Sequence, residues 1–287
     1  MNKSKKLGII AGGGKIPMML IEHCVETGRE FCLLGIKDNA DKELIEKANV
    51  PVTWIRIGQA GTGFKMFMDE KVGEVVMIGT IKRPSFFDLV PDFRTAAFFA
   101  KVGAKALGDD GILRAVVNEI EKDGMRVVGI HEVLSDILVK EGVLGKHKPD
   151  HQAEVDILRG IEVALELGKV DVGQGVIVQQ GLVLAVEGIE GTDEMIRRSK
   201  DYKRKGAGGI LVKLRKPQQD MRVDLPTIGA QTVIKAAESG LRGIVIHAEN
   251  GLIVDEKEAI ETANKKGMFL LGINPEEYVK EHRKEKK

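Results

Sequence analysis

Through the first half of the chain, short β-branched and apolar runs alternate with amphipathic stretches: Leu7 to Ala11, Phe31 to Ile36, Thr53 to Ile57, Val75 to Ile78 and Arg126 to Ile130 are the apolar runs. That rhythm constrains the fold more than any other feature, because it calls for a parallel sheet whose crossovers are helices on both faces. A Rossmann-like domain over residues 1–132 is therefore expected. Ligands of open α/β sheets lie beyond the carboxyl ends of the strands. The chain there places Gly12, Gly13 and Gly14, then Gly58 and Gln59, then Gly79, Thr80, Lys82 and Arg83, with Lys101 as a further cation. Three strand ends converge on one polar, glycine-lined crevice.

The turn AGGGKIP invites a dinucleotide reading, but its third fingerprint position is Pro17, where close helix packing needs Gly or Ala. Pro17 instead suits the first turn of a helix running to Gly28. Amides at such a helix start can hold a phosphate or ribose. Between Ile130 and Asp150 the alternation lapses around Gly142, Gly145 and Pro149, and residues 133–150 are expected to be a linker.

The second half, 151–287, has α+β character. A helix from His151 to Gly168 precedes VIVQQGLVLAVE, whose central Gly181 marks a hairpin; a helix from Thr192, a strand Ile210 to Leu214, a helix ending near Gly240, a strand Gly243 to His247 and a last helix and strand to Gly272 follow. Lys213 lies in the strand ILVKL on the face opposite Ile210, Val212 and Leu214, where a lysine needs an anionic partner or a route to water. Glu187 ends an otherwise apolar strand. Gln179 and Gln180 add hydrogen-bonding groups at the hairpin, and Thr192 has the character of an N-cap followed by Asp193 and Glu194.

Lys213 to Gly229 carries two lysines, two arginines, two aspartates and two prolines with almost no periodicity. If the backbone is extended there, Asp220, Arg222 and Asp224 share one face. Two carboxylates flanking a guanidinium suit a divalent cation and phosphate oxygens together, hence hydrolysis of a phosphoanhydride. A surface ion-pair cluster is the competing account. Thr227 is read as capping the helix that contains AQTVIKAAES.

A net charge of +1 announces no nucleic-acid partner, and the two cysteines, Cys24 and Cys32, are spaced for reduced thiols in a cytoplasmic setting. The apolar run after MNKSKK stops at Gly12, too short for a signal peptide or a membrane span, while the charged tail from Glu276 has basic residues able to touch an anionic membrane surface. No histidine or cysteine spacing suggests zinc, and GxSxG and GxxxxGK[ST] motifs are absent. A homo-oligomer is compatible with this composition.

Taken together, IIAGGGKIP, IGQAG, GTIKRP, ALGDDGILR, DVGQGVIVQQGLVLAVEGIEGTDEMIRR and KLRKPQQDMRVDLPTIGAQTV resemble the LpxI family of UDP-2,3-diacylglucosamine pyrophosphatases, over nearly the whole chain. The last two blocks are the most specific. The resemblance implies two α/β domains with the lipid-linked nucleotide sugar between them. It implies hydrolysis to UMP and 2,3-diacylglucosamine 1-phosphate in lipid A biosynthesis, with Mg2+ or another divalent cation and water attacking the phosphorus nearer the glucosamine. Asp224, by its RVDLPTIG context, is the implied catalytic aspartate. Arg222, Lys213 and Glu187 stand as further catalytic candidates, and Asp220 with Asp224 as metal ligands. Gly12, Gly13, Gly14, Gly79, Thr80, Lys82, Arg83, Lys101, Gln179 and Thr192 stand as substrate-binding candidates. Ala230, Gly188 and Ile16 depart from the family pattern without removing a charge. An NAD(P)-dependent oxidoreductase and a non-enzymatic nucleotide sensor are the alternatives. The expected setting is cytoplasmic, peripheral at the inner membrane.

Overall fold

The computed structural model describes residues 5–82, 90–102 and 109–284. The chain divides into two compact units, one of residues 1–135 with 220–223, the other of 136–219 with 224–287.

The first unit is a five-stranded sheet of β1 (Leu7–Ala11), β2 (Phe31–Ile36), β3 (Val52–Ile55), β4 (Glu74–Ile78) and β5 (Arg126–Val127), all parallel, in the order β3-β2-β1-β4-β5. Its crossovers carry α1 (Ile16–Thr27), α2 (Lys42–Glu46), α3 (Ala60–Asp69), α4 (Phe93–Val102) and α5 (Asp109–Lys122). Helix α1 buries Ile16, Leu20, Ile21 and Cys24, one face at helical spacing, and stops at Gly28, whose left-handed backbone lets its amide bond the last turn. Leu34, Ile36, Ile55 and Val75 pack with Phe64, Phe67, Val117 and Ile120 in the core shared with α3 and α5.

Strand order runs outward in opposite directions from β1 and β4, so their carboxyl ends are the switch point. There the backbone closes on itself. The Gly13 amide donates to the Thr80 carbonyl (2.8 Å), the Thr80 amide to the Gly13 carbonyl (2.9 Å) and the Gly12 amide to Ile78 (2.8 Å). A Cβ on Gly12 would sit 2.7 Å from the Thr80 oxygen, and one on Gly79, whose φ is +92°, would sit 2.6 Å from the Gly13 oxygen.

The second unit is built on a mixed six-stranded sheet in the order β6-β13-β11-β9-β7-β8, from β6 (Gly142–Val143), β7 (Gly175–Gln179), β8 (Leu182–Val186), β9 (Ile210–Lys213), β11 (Gly243–His247) and β13 (Phe269–Ile273). Strands β9, β11 and β13 are mutually parallel, and β7, β8 and β6 join antiparallel. The period of two divides its side chains cleanly. Ile177, Leu211, Ile244, Ile246 and Leu270 pack with α7 (Gly191–Ser199), α8 (Ala230–Glu238) and α9 (Glu256–Lys266). Val176, Val178, Ile210, Val212, Val245 and Phe269 pack with α6 (His151–Lys169), and Tyr278 and Val279 of α10 (Pro275–Lys284) join that cluster. Strands β10 (Thr227–Gly229) and β12 (Leu252–Val254) form a separate parallel pair.

The fold is mixed α/β, a parallel-sheet first unit followed by a second sheet-and-helix unit. Residues 133–150, expected as a linker, instead enter the second unit at Asp136 and supply β6, which pairs with β13. Two residues of pairing carry too little periodicity to be seen in sequence. The hairpin at Gln180–Gly181 is as expected, both residues at positive φ, as a two-residue turn of this twist demands. Buried Asp156 of α6 accepts the Gly181 amide (2.6 Å) and the Gln180 amide (3.1 Å) and so pins that turn.

The close crossing of β1 and β4 makes Gly12→Ala and Gly79→Ala each cost about 2 kcal/mol or more, because backbone cannot yield as a flexible side chain does. Equilibrium urea denaturation reads this as a lowered midpoint, and a midpoint equal to that of the parent chain contradicts it.

Candidate active site

Because β7 runs antiparallel to both β9 and β8, the start of β7 and the ends of β8 and β9 meet at one edge of the second sheet, where the parallel strand β11 also ends. Gly175 pairs with Lys213, Ile246 pairs with Lys213, and the Glu187 amide donates to the Gly175 carbonyl (2.8 Å). Register alone therefore brings Lys213, Glu187 and His247 to the same edge.

Lys213 is only 3% exposed and Glu187 8%. Thr192, on α7, joins them: Lys213 Nζ donates to Thr192 Oγ1 (2.7 Å), and that hydroxyl donates to Glu187 Oε1 (2.5 Å). A buried ammonium and a buried carboxylate are thus neutralised through one hydroxyl, which holds the lysine's charge at the end of β9. Glu187 Oε2 is buried with no hydrogen-bond partner, and a Cβ on Gly175 would approach it to 2.5 Å, so only glycine leaves that oxygen its room. Thr192 was expected as an N-cap. It lies inside the first turn instead, with Glu190 at the cap position, and its hydroxyl bridges Lys213 and Glu187.

Asp224 stands half-buried three residues before β10, and its Oδ2 accepts from the side-chain amide of Gln219. Gln219, itself buried, also accepts the Lys216 amide (3.0 Å) and approaches Gln174 Oε1 (3.4 Å). The Lys216 ammonium in turn pairs with Asp171 at 2.5 Å. Arg215 and His247 complete this edge. Burial and the nearby Arg215 guanidinium push the His247 imidazole down to about 4, and its Nδ1 has no partner.

The expected face shared by Asp220, Arg222 and Asp224 does not form. Residues 221–223 are a turn: the Val223 amide reaches the Asp220 carbonyl (3.2 Å) and the Arg222 amide reaches Asp220 Oδ1 (3.0 Å). An aspartate that bonds the backbone two residues on competes with extended structure, and here it wins. The Arg222 guanidinium then grips both Asp220 oxygens (2.7 to 3.2 Å) and reaches Glu121 (2.7 Å), all within the first unit, which holds the Asp220 carboxyl below the usual range and raises Arg222. Asp220 is therefore engaged by a guanidinium.

Gln179, expected at the substrate, is fully buried at the far end of β7. Its amide donates to the carbonyls of Arg204 (3.0 Å) and Ala207 (2.7 Å) and accepts the Arg204 amide (2.9 Å), so it fastens a loop. Thr227 sits in β10 and bonds the Leu225 carbonyl (3.1 Å) rather than capping α8, whose cap position is Gly229.

In the first unit, the amides of Gly12 and Gly13 are taken by the β4 backbone, while Gly14 is exposed. Two of the amides that the dinucleotide reading would use are thereby spent. The Lys82 amide bonds Asn39 Oδ1 (2.6 Å), and Gly58 packs on the chain at Val90. Gln59 closes on the Arg56 amide (2.9 Å). Lys101 is exposed beside Lys122, which lowers its pKa. Arg83 lies outside the described residues.

Residues 6–137 match the family model described as LpxI N-terminal domain, and residues 140–271 match the LpxI C-terminal domain. The chain belongs to the LpxI family. UDP-2,3-diacylglucosamine pyrophosphatase LpxI of Caulobacter vibrioides (strain ATCC 19089 / CIP 103742 / CB 15) is 41% identical over 280 residues, spanning 95% of this chain and 99% of that protein. Among solved structures, lactate dehydrogenase from Eimeria maxima with NADH and oxamate covers 64% of this chain and 55% of its own at 16% identity, with a TM-score of 0.23, a likeness too slight to bear on fold or ligand.

Within this LpxI chain, sequence reasoning brought Lys213, Glu187, Thr192 and Asp224 forward and passed over Gln219, Arg215 and His247. His247 carried the signal that singled out Glu187, a polar residue at the end of an apolar strand. Gln219 carried none, since its role comes from a turn.

Removing one end of the Lys213 relay strands the other. Lys213→Met is expected to cost about 3 kcal/mol or more, and Lys213→Met with Glu187→Gln to recover part of it, as a double-mutant cycle by chemical denaturation will show. His247 sets a second test. Its folded value lies below the ordinary 6.5, so the unfolded chain takes up a proton first as pH falls. The stability it contributes is complete above about pH 6.5 and is lost as pH falls towards 4, at most about 3 kcal/mol and nearer 1 after solvent screening. His247→Gln should flatten unfolding free energy against pH in that window.

Proposed function

We propose that the protein hydrolyses UDP-2,3-diacylglucosamine to UMP and 2,3-diacylglucosamine 1-phosphate, with the chemistry centred on Asp224 in the second unit. The observation that carries this reading is the 41% identity to the Caulobacter enzyme of that name, which extends over 95% of this chain and 99% of that one. In the proposed step, the water oxygen bonds to the sugar-linked phosphorus, the bond from that phosphorus to the bridging oxygen breaks, and UMP leaves with that oxygen. Asp224, held by the Gln219 amide, orients the water and takes its proton. Lys213, fixed by Thr192 at the end of β9, supplies positive charge where phosphoryl charge develops, without having to reorganise during reaction.

A divalent cation fits this donor set in one way. Among the described residues no group of three or more His, Cys, Asp or Glu stands ready to hold a metal, and Asp220 is engaged by Arg222. Mg2+ keeps most of its waters and needs only one or two carboxylates beside substrate phosphates, so Asp224 is the ligand the chain offers. Bound there, the ion would lower the charge on the diphosphate. Asp220 and Arg222 brace the loop that carries Asp224.

UMP release from UDP-2,3-diacylglucosamine, with and without EDTA, tests the reading. Asp224→Ala should lower turnover at least about a hundredfold while circular dichroism and the unfolding midpoint stay near those of the parent chain. Activity within a few-fold of the parent would sink the assignment. The acyl chains carry most of the apolar surface, at about 25 cal/mol per Å2 buried, so UDP-N-acetylglucosamine is expected to be a very poor substrate. Comparable kcat/KM on it would point to a soluble nucleotide sugar instead.

A further inference from the structure

At the end of the second sheet opposite Lys213 and Glu187, the chain runs Lys200-Asp201-Tyr202-Lys203-Arg204-Lys205, four cations against one acid. Many surface bases elsewhere are spent on carboxylates, as in Lys65–Asp69, Lys122–Glu119, Arg159–Glu162, Lys169–Glu166 and Lys235–Asp193, but nowhere else among the described residues do four exposed cations without one fall within six residues. Lys200, Lys203, Arg204 and Lys205 pair with no carboxylate among the described residues, and all four are exposed. Lys203, Arg204 and Lys205 line a depression of about 470 Å3 together with Gln180, Asp201 and Tyr202, and Lys200 precedes it in the chain.

Apolar groups border the same cations. Tyr202 is 62% exposed, and the edge strand β8 begins with Leu182, 50% exposed, and Val183, 37% exposed, directly after the Gln180–Gly181 turn. Loop and turn are fastened together: Gln180 Nε2 donates to the Lys205 carbonyl (2.8 Å), Arg204 Nε donates to Gln180 Oε1 (3.1 Å), and buried Gln179 holds the backbone at Arg204 and Ala207. The patch is therefore preorganised, so little ordering entropy is lost when something binds it.

We infer that this loop and hairpin tip form a docking surface for an anionic lipid bilayer. Unpaired lysines and arginine meet the negative surface potential, Tyr202 suits the headgroup level, and Leu182 and Val183 suit the acyl boundary beneath it. A nucleic acid would use the cations and leave the two aliphatic side chains without a role. The inference rests on the proposed hydrolysis of a diacylated substrate, which resides in such a bilayer; it moves the membrane contact from the charged tail, whose helix α10 spends Tyr278 and Val279 on the core.

Co-sedimentation of the full chain with phosphatidylglycerol-containing vesicles and with pure phosphatidylcholine vesicles, at low and high salt, tests this. The parent chain should bind the anionic vesicles alone and release in salt. Each basic residue near an anionic surface contributes about fivefold, so Lys200→Gln with Lys203→Gln and Lys205→Gln should lower partitioning roughly a hundredfold, and Lys→Arg at the same three positions should retain it. Leu182→Ser should weaken binding to the anionic vesicles at low salt, where the parent chain is bound. Equal binding by the parent and the glutamine variant, equal binding to neutral vesicles, or binding to an oligonucleotide with none to vesicles would each overturn the docking surface. UMP release in detergent micelles, where no bilayer is needed, should be the same for the parent and the glutamine variant. The vesicle result decides the docking surface, and micellar UMP release by the parent chain decides the hydrolase reading.

Discussion

A lysine on the central strand of a six-stranded sheet cannot be buried alone, and the second unit is arranged around the answer to that demand. Lys213 finds its counter-charge through Thr192 rather than by direct contact, so three elements meet there: the end of β9, the end of β8 and the first turn of α7. Antiparallel β7 is what makes the meeting possible, since it turns the end of β8 towards the end of β9. The result is a fixed positive charge at a sheet edge with one carboxylate oxygen of Glu187 held dry beside it. Such an arrangement spends stability on placement, the usual sign that charge at that point matters.

The first unit shows the opposite use of a conserved-looking pattern. Its glycines mark the switch point, yet Gly12 and Gly79 are small because two backbones cross there, and their neighbouring amides are occupied by that crossing. Close approach of backbone and binding of a phosphate call for the same residue. Only the hydrogen-bond partners tell them apart.

Asp224 and Asp220 divide in a similar way. One is held by the Gln219 side-chain amide, the other is gripped by a guanidinium on both oxygens. A turn of three residues makes the difference. The loop from Lys200 to Lys205 at the far end of the sheet carries exposed cations with no carboxylate partner among the described residues, and its chemistry faces outward.

Most elements of the two larger sheets were legible from the chain because period-two and helical burial are local: the strands from Leu7 onward, the Gln180–Gly181 hairpin, α6 and β9 lie close to where apolar spacing and glycine stops put them. Lys213, Glu187 and Asp224 stood out too, each a charge where the surrounding pattern is apolar or irregular. What the chain alone did not determine was pairing. Strand β6, at two residues, exists only because β13 offers an edge. Gln179 passes from ligand group to loop fastener, Thr192 from helix cap to ion-pair bridge, and Arg222 from phosphate clamp to partner of Asp220 and Glu121. Residue type sets which hydrogen bonds a side chain can make, whereas the partner that it finds is a matter of distance in the folded state. Sequence spacing does not encode that distance once a turn or a crossover intervenes.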